Sequence, residues 1–259
     1  MCDTVKLICP ILLLGVSSCI LQALCYNFQE SQREGVMVVT EQTATTIKYK
    51  IYKEIRRSII MQHLRPGERL SVEDLARQYG TSITPVREAL QMLDQEGLVT
   101  IKPRSGYFVT RLTLKQLRDL LELRGILELA SVERAAQRIT PEQLARLERV
   151  HAGYTGDDEE SYDRYTDENR EFHYLIAEAA GNEELANLLR HIHERLARYM
   201  VMRRGGQSQL HTHARILDAL RRHDVAAARQ AMWEEITETR DAILERVIQE
   251  ESSAWQLQS

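Results

Sequence analysis

Ser82-Ile83-Thr84-Pro85-Val86-Arg87-Glu88-Ala89-Leu90 supplies a helix start, an apolar face and an exposed cation in one short run. Thr84 is placed to cap the helix and Pro85 to take its first position, where a missing N–H costs nothing. The helix expected over Pro85–Glu96 puts Val86, Ala89, Leu90 and Leu93 on one face and Arg87, Gln91 and Asp94 on the other. Gly97 stops it. Upstream, Thr46–His63 reads as a helix with Ile47, Ile51, Ile55 and Ile59 four apart, broken by Arg65-Pro66-Gly67. A second short helix follows, with Ser71 as its cap and Val72, Leu75, Ala76 and Tyr79 on its apolar side. Gly80 ends it, suited to the positive φ of a tight turn. Downstream, Leu98–Ile101 and Tyr107–Arg111 read as two strands around a hairpin tip that carries Lys102 and Arg104.

Two short helices joined at a glycine, followed by a hairpin with a basic tip, make a winged helix-turn-helix over residues 45–112. The apolar face of the third helix fixes it against the first two, so its exposed N-terminal residues can enter a major groove. There Arg87 can donate to a guanine edge or a phosphate, and Ser82 and Thr84 can bond phosphate oxygens where the helix dipole favours an anion. Leu64 to Leu70, Leu75-Ala76 and Ser82 to Leu90 closely resemble the N-terminal domain of GntR-family transcription regulators, and Pro85 to Leu90 is the most specific part of that match. The resemblance implies that Arg87 is a main DNA contact, assisted by Ser82, Thr84, Arg104 and Gly106. Ile83 departs from the arginine many members carry there, which removes one expected contact.

The chain has 259 residues, 43% of them hydrophobic and 28% charged, which excludes fibrous and wholly disordered classes. Aromatics are only 6%, and there are 12 glycines and 5 prolines, which favours helices over a strand-rich sandwich. Residues 37–112 carry a net charge of +4 and residues 113–259 a net of −7. A basic segment joined to a larger acidic one suggests two jobs, one of them on nucleic acid. All four cysteines, Cys2, Cys9, Cys19 and Cys25, lie in an opening stretch whose Leu7–Tyr26 run has no charge. The main body therefore has neither a disulfide framework nor a cysteine zinc site. The apolar run is long enough to span a bilayer, and with Lys6 before it also resembles a signal sequence. The preferred reading is that translation begins at Met37, so that residues 1–36 are absent from a working cytoplasmic protein.

No strand signal follows Arg111. Helices are expected at Leu114–Arg138, Pro141 to His151, Ser161–Ala180, Glu183–Met202, Ser208–Arg222 and from Asp224 to about Glu250, with a polar loop over Gly153–Glu160. Short connections make residues 113–250 an antiparallel all-helical bundle, so the whole is mostly α. Seven of the eight histidines lie between His151 and His223. Most read as surface residues, and His191 and His193 are two apart and cannot face the same way. Asn169 and His173 share one helix face, and His213 precedes the core stripe Ile216, Leu217 and Leu220.

Leu123-Arg124 with Leu127-Glu128, Asn169 to His173 followed by Gly181-Asn182, and His213 to Leu220 followed by Asp224 and Ala228 resemble the FCD ligand-binding domain of the FadR branch of GntR regulators. In metal-binding members an Asp and three His surround one divalent ion. Carried over, those places are Asn169, His173, His213 and Glu235, so two of the four depart from the pattern. An amide oxygen and a displaced carboxylate still suit Zn²⁺, Mn²⁺ or Ni²⁺. The resemblance also places Arg124 near the effector, with Arg198 as a second candidate, which implies a small organic acid held between guanidinium and metal. The expected function is ligand-responsive regulation of transcription, as a repressor or activator, by a homodimer on a palindromic operator in double-stranded DNA. The alternative is a metal-dependent hydrolase or lyase using His173, His213 and Glu235. The sequence offers it no nucleophile elbow, phosphate loop or His-Glu-x-x-His motif.

Overall fold

The computed structural model describes residues 41–151, 159–202 and 206–256. The expected extension over residues 1–36 and most of the Gly153–Glu160 loop lie outside the described residues. Thr45–Ser259 belongs to one compact unit.

The head is built from α1 (Glu41–Ile60), β1 (Arg69–Leu70), α2 (Val72–Gln78), α3 (Ile83–Gln95), β2 (Val99–Lys102) and β3 (Gly106–Val109). Ile51, Ile55 and Ile59 of α1 are buried against Val72, Ala76, Val86, Ala89, Leu90 and Leu93, as their spacing requires. Ser71 caps α2, accepting from the Asp74 N–H at 3.2 Å. Gly80 and Gly97 take φ of +60° and +75°, which glycine adopts without a Cβ penalty. β2 and β3 pair antiparallel from Val99↔Val109 to Lys102↔Gly106 and form the wing.

Two local expectations are corrected. The third helix begins at Ile83 with Ser82 as its N-cap, and Ser82 makes no side-chain capping bond. Thr84 and Pro85 therefore lie inside the first turn. Pro85 fits there because the first four N–H groups of a helix have no intrahelical acceptor to lose. A third strand, β1, also joins the wing, pairing Arg69↔Phe108 and Leu70↔Tyr107 in the order β1-β3-β2.

The bundle follows as α4 (Leu114–Arg138), α5 (Pro141–His151), α6 (Glu159–Ala179), α7 (Glu183–Met202), α8 (Gly206–Arg221) and α9 (Val225–Gln256). Thr113 and Gln116 cap α4 reciprocally, each side chain bonding the other's backbone N–H. A core of Val132, Ala135, Leu147, Phe172, Ile176, Ile216, Leu220, Ala228 and Met232 joins α4, α5, α6, α8 and α9. A second cluster of Leu117, Leu121, Ile192, Leu196 and Ile243 ties α4, α7 and α9 together. Among the described residues, no helix is long and apolar enough to cross a membrane.

Candidate functional sites

Polar residues of α3 and of the wing tip are exposed on the head. Ser82, Thr84, Arg87 and Gln91 are exposed on α3, while Pro85, Val86, Ala89 and Leu90 are buried beneath them. Ile83 is exposed beside them. The Ile101 N–H donates to Asp94 Oδ1 at 3.1 Å, which ties the end of α3 to the wing. At the wing tip Arg104 is exposed and holds φ +61°, and Gly106 holds φ +108° beside the Arg69 side chain. The five residues expected to meet DNA thus come from α3 and the wing tip of one small domain.

The bundle buries ionisable groups at its centre. Arg124 and Glu128 lie one turn apart on α4, and Arg124 Nε donates to Glu128 Oε1 at 2.6 Å. Arg124 Nη2 reaches Glu235 of α9 at 3.3 and 3.5 Å, and Nη1 has Met200 Sδ at 3.7 Å. Thr239 Oγ1 donates to Glu235 Oε1 at 3.0 Å. His193 Nε2 of α7 pairs with Glu128 Oε1 at 2.7 Å. His173 of α6 stands between the carboxylates, with Nδ1 2.9 Å from Glu128 Oε2 and Nε2 3.8 Å from Glu235 Oε2. The His213 ring, from α8, is 5.4 Å from that of His173 and stacks on Phe172 at 4.0 Å. Asn169, one turn before His173, is buried as well.

Arg124, Glu128, His173 and Glu235 are each at most 1% exposed. Burial alone would raise the carboxyl pKa of Glu128, but the Arg124 charge and the neighbouring imidazoles outweigh it and hold Glu128 well below the usual range. Glu235 is lowered in the same way, burial being overcome chiefly by Arg124. His193 is pushed down to about 4 by burial, against the pull of Glu128, and is neutral at pH 7.

Among the described residues, two groups of three donors lie close enough to share an ion: His173, His213 and Glu235, and Glu128, His173 and His193. Ligands bound tetrahedrally at 2.0–2.2 Å lie roughly 3.4 Å apart. The 3.8 Å between His173 Nε2 and Glu235 Oε2 is near that span, whereas the 2.7 and 2.9 Å contacts of Glu128 are closed already. Despite the 2.9 Å approach, neither ring nitrogen of His173 makes an aligned hydrogen bond, and Glu128 Oε2 has no hydrogen bond either. A buried imidazole with both nitrogens so placed suits ligation through Nε2, with Glu128 facing Nδ1 to fix the tautomer.

His173, His213, Glu235 and Arg124 therefore come together in this buried region, and Asn169 is buried one turn before His173. Arg198 does not join them: it lines a small cavity with Ile59, Gly97, Leu98, Thr110, Arg195 and Tyr199 where head meets α7. His193 is the correction to the histidine reading. It is buried, while His191 points outward. The signal was present, since His193 lies four residues after Leu189 and three before Leu196, both core positions. Glu128, named in the sequence only within the FCD-like motif, pairs with Arg124 and also faces two histidines.

Residues 48–109 match the family described as bacterial regulatory proteins, gntR family, and residues 119–238 match the FCD domain. The chain is 37% identical over 173 residues to the Nta operon transcriptional regulator of Aminobacter aminovorans, covering 65% of this chain and 82% of the relative. It is 28% identical over 214 residues to the HTH-type transcriptional repressor RspR of Escherichia coli, covering 81% and 93%. Its fold is similar to that of E. coli McbR/YncC, with a TM-score of 0.62 and 23% identity over 78% of this chain and 98% of the other.

Proposed function

Because the chain belongs to the gntR family of bacterial regulatory proteins, in which a DNA-binding head is joined to an effector-binding FCD domain, we propose that its buried cluster holds a divalent metal and a small organic acid. Regulators of this family bind DNA as dimers, and the chain is a ligand-responsive DNA-binding transcription regulator. The relatives named above are all transcription regulators, which leaves the hydrolase alternative without support.

The observation that carries the pocket reading is His173, buried between two carboxylates with neither ring nitrogen in an aligned hydrogen bond. His173 Nε2, His213 and Glu235 would hold the ion, with Asn169 offering an amide oxygen from one turn before His173. Such an ion supplies a fixed positive charge that can bind a carboxylate oxygen directly. Arg124 faces two buried carboxylates, Glu128 and Glu235, so a divalent cation held by His173, His213 and Glu235 would add positive charge beside them and leave a place for one anionic group. Arg124 has capacity for that group: among the described residues Nη1 meets a thioether, a weak acceptor, and Nη2 makes long contacts.

On the DNA side, Arg87 would read a base edge, Ser82 and Thr84 would bond the backbone, and Arg104 and Gly106 would bring the wing to a neighbouring groove. Two heads of a homodimer would meet two halves of a palindromic site. Elemental analysis of protein purified without a histidine tag tests the pocket. Roughly one equivalent of Zn²⁺, Mn²⁺ or Ni²⁺ is expected, lost in both His173→Ala and His213→Ala. Metal content unchanged by both substitutions would remove the assignment.

A further inference from the structure

Where head meets bundle, three carboxylates from three elements converge on one arginine. Arg56 of α1 is only 11% exposed. Its Nη2 lies 2.8 Å from Glu194 Oε2 on α7, its Nε 3.3 Å from Glu96 Oε2, and its Nη1 3.5 Å from Asp167 Oδ1 on α6. Glu96 is the C-cap residue of α3, the helix that carries Arg87. Tyr52, also on α1, donates its hydroxyl to the other oxygen of Glu96. On the bundle side Arg170 bonds Glu194 at 2.9 Å and Asp167 at 3.1 Å.

The neighbours of these residues in sequence give the cluster its meaning. Asp167 and Arg170 flank Asn169 on α6, three to six residues before His173, and Glu194 directly follows His193 on α7. The two helices that bring three polar groups to the buried cluster therefore also hold Arg56. Beside this contact, Gly97 closes the turn after α3 against α7, where a Cβ would come within 2.9 Å of Arg195 Cγ. The most extensive helix and strand contacts among the described residues lie within the head or within the bundle. A rotation or slide of α6 or α7 would thus reach the end of α3 through Arg56, beside the packing of Gly97 on Arg195.

We propose that Arg56 is the positioning residue through which the ligand pocket sets the attitude of the DNA-reading helix, gripping Glu194 and Asp167 on the pocket helices and Glu96 at the end of α3. This rests on the reading of the pocket given above. An arginine suits the task because its planar fork addresses several carboxylates at once, which a lysine ammonium on a single stem does not. The pairs of Arg56 with Glu194 and Glu96 are largely shielded from water, while Asp167 stays exposed, and shielded pairs of this kind hold one arrangement and exchange for another as a unit.

Arg56→Leu cuts the bridge without stranding its partners, since Glu194 keeps Arg170 and Glu96 keeps Tyr52. Two measurements on the full chain test the proposal. With Cys2, Cys9, Cys19 and Cys25 replaced by serine, spin labels on Gln78→Cys and Glu184→Cys, both exposed, report the head-to-bundle distance without metal. Arg56→Leu is expected to broaden that distribution, and Arg56→Lys to do so less. The second measurement is the ratio of DNA affinities with and without Zn²⁺, on a site recovered from genomic fragments. A ratio of about 5–150 is ordinary for coupled sites. It should fall toward unity in Arg56→Leu while the Zn²⁺ affinity read by calorimetry stays at the wild-type value. A narrow, unshifted distribution, or an undiminished ratio, overturns the role of Arg56. Failure of the wild type to bind any of Zn²⁺, Mn²⁺ and Ni²⁺ overturns the pocket reading instead, and the distance measurement then decides on Arg56 alone.

Discussion

In the head, Ile51, Ile55, Val86, Leu90 and Leu93 close an aliphatic core, and the charged residues of α3 stay at its rim. At the centre of the bundle, Arg124 meets Glu128 and Glu235 with three histidines around them, all removed from water. An aliphatic core stabilises in proportion to the surface it hides and tolerates small shifts of shape. A desolvated ionic cluster stabilises only while its charges match and its geometry holds. The head is thus built to keep one shape, and the bundle to respond when a charge enters it.

The largest expected effect breaks the comparison at its weakest contact. Glu128→Ala removes the carboxylate that Arg124, His173 and His193 all face, and leaves a guanidinium without its closest counter-charge. The expected loss is about 3–5 kcal/mol by denaturant unfolding, the usual result of orphaning one member of a buried pair. Replacing Arg124 and Glu128 by leucine together with Glu235→Gln, so that no carboxylate is left without its counter-charge, should cost much less than Glu128→Ala alone. A triple variant as unstable as the single one would mean that packing, and not charge matching, governs the bundle centre.

The same contrast explains what the sequence conveys. Head signals are local: Ser71 caps α2, Gly80 and Gly97 stop their helices, and the apolar spacing of α1 and α3 becomes the core. Helices α4, α5 and α7 start and end where their caps and glycines place them. The start of α3 reads less well because Ser82, Thr84 and Pro85 each fit an N-terminal turn, and only the backbone path chooses among them. β1 is two residues long and exists because β3 lies beside it, a tertiary cause that spacing does not record. The bundle cluster needs five helices to converge, so histidine spacing alone identifies neither His193 as buried nor Glu128 as the carboxylate beside two imidazoles.

A smaller effect sharpens the head's side of the comparison. Arg87 is exposed on a helix whose opposite face is buried, so its removal should leave the fold untouched. Arg87→Ala is expected to weaken binding to the specific site by about 1–3 kcal/mol, with little change in thermal midpoint. Arg104→Ala should weaken specific and random duplexes alike. Titration of both duplexes at one fixed salt concentration separates the two, since backbone contacts are salt-dependent and base contacts discriminate. Equal loss on both duplexes for Arg87→Ala would move it from base reading to phosphate contact.

The smallest expected effect has two signs. Arg104 holds φ +61° at the wing tip, a left-handed conformation that costs a side-chain-bearing residue roughly 1 kcal/mol relative to glycine. Its guanidinium is exposed, so no buried contact repays that strain. Nearby, β2 and β3 run in register to Lys102↔Gly106, and Lys102 lies over the Phe108 ring at 4.7 Å, so the hairpin does not depend on Arg104 for its shape. Arg104→Gly should therefore raise stability by about 0.5 kcal/mol while lowering DNA affinity. Unfolding midpoints and duplex titrations on the same preparation give both readings. A stability gain with affinity unchanged would mean the wing tip stays off the DNA, whereas a loss of stability would show that Arg104 is held by contacts within the fold.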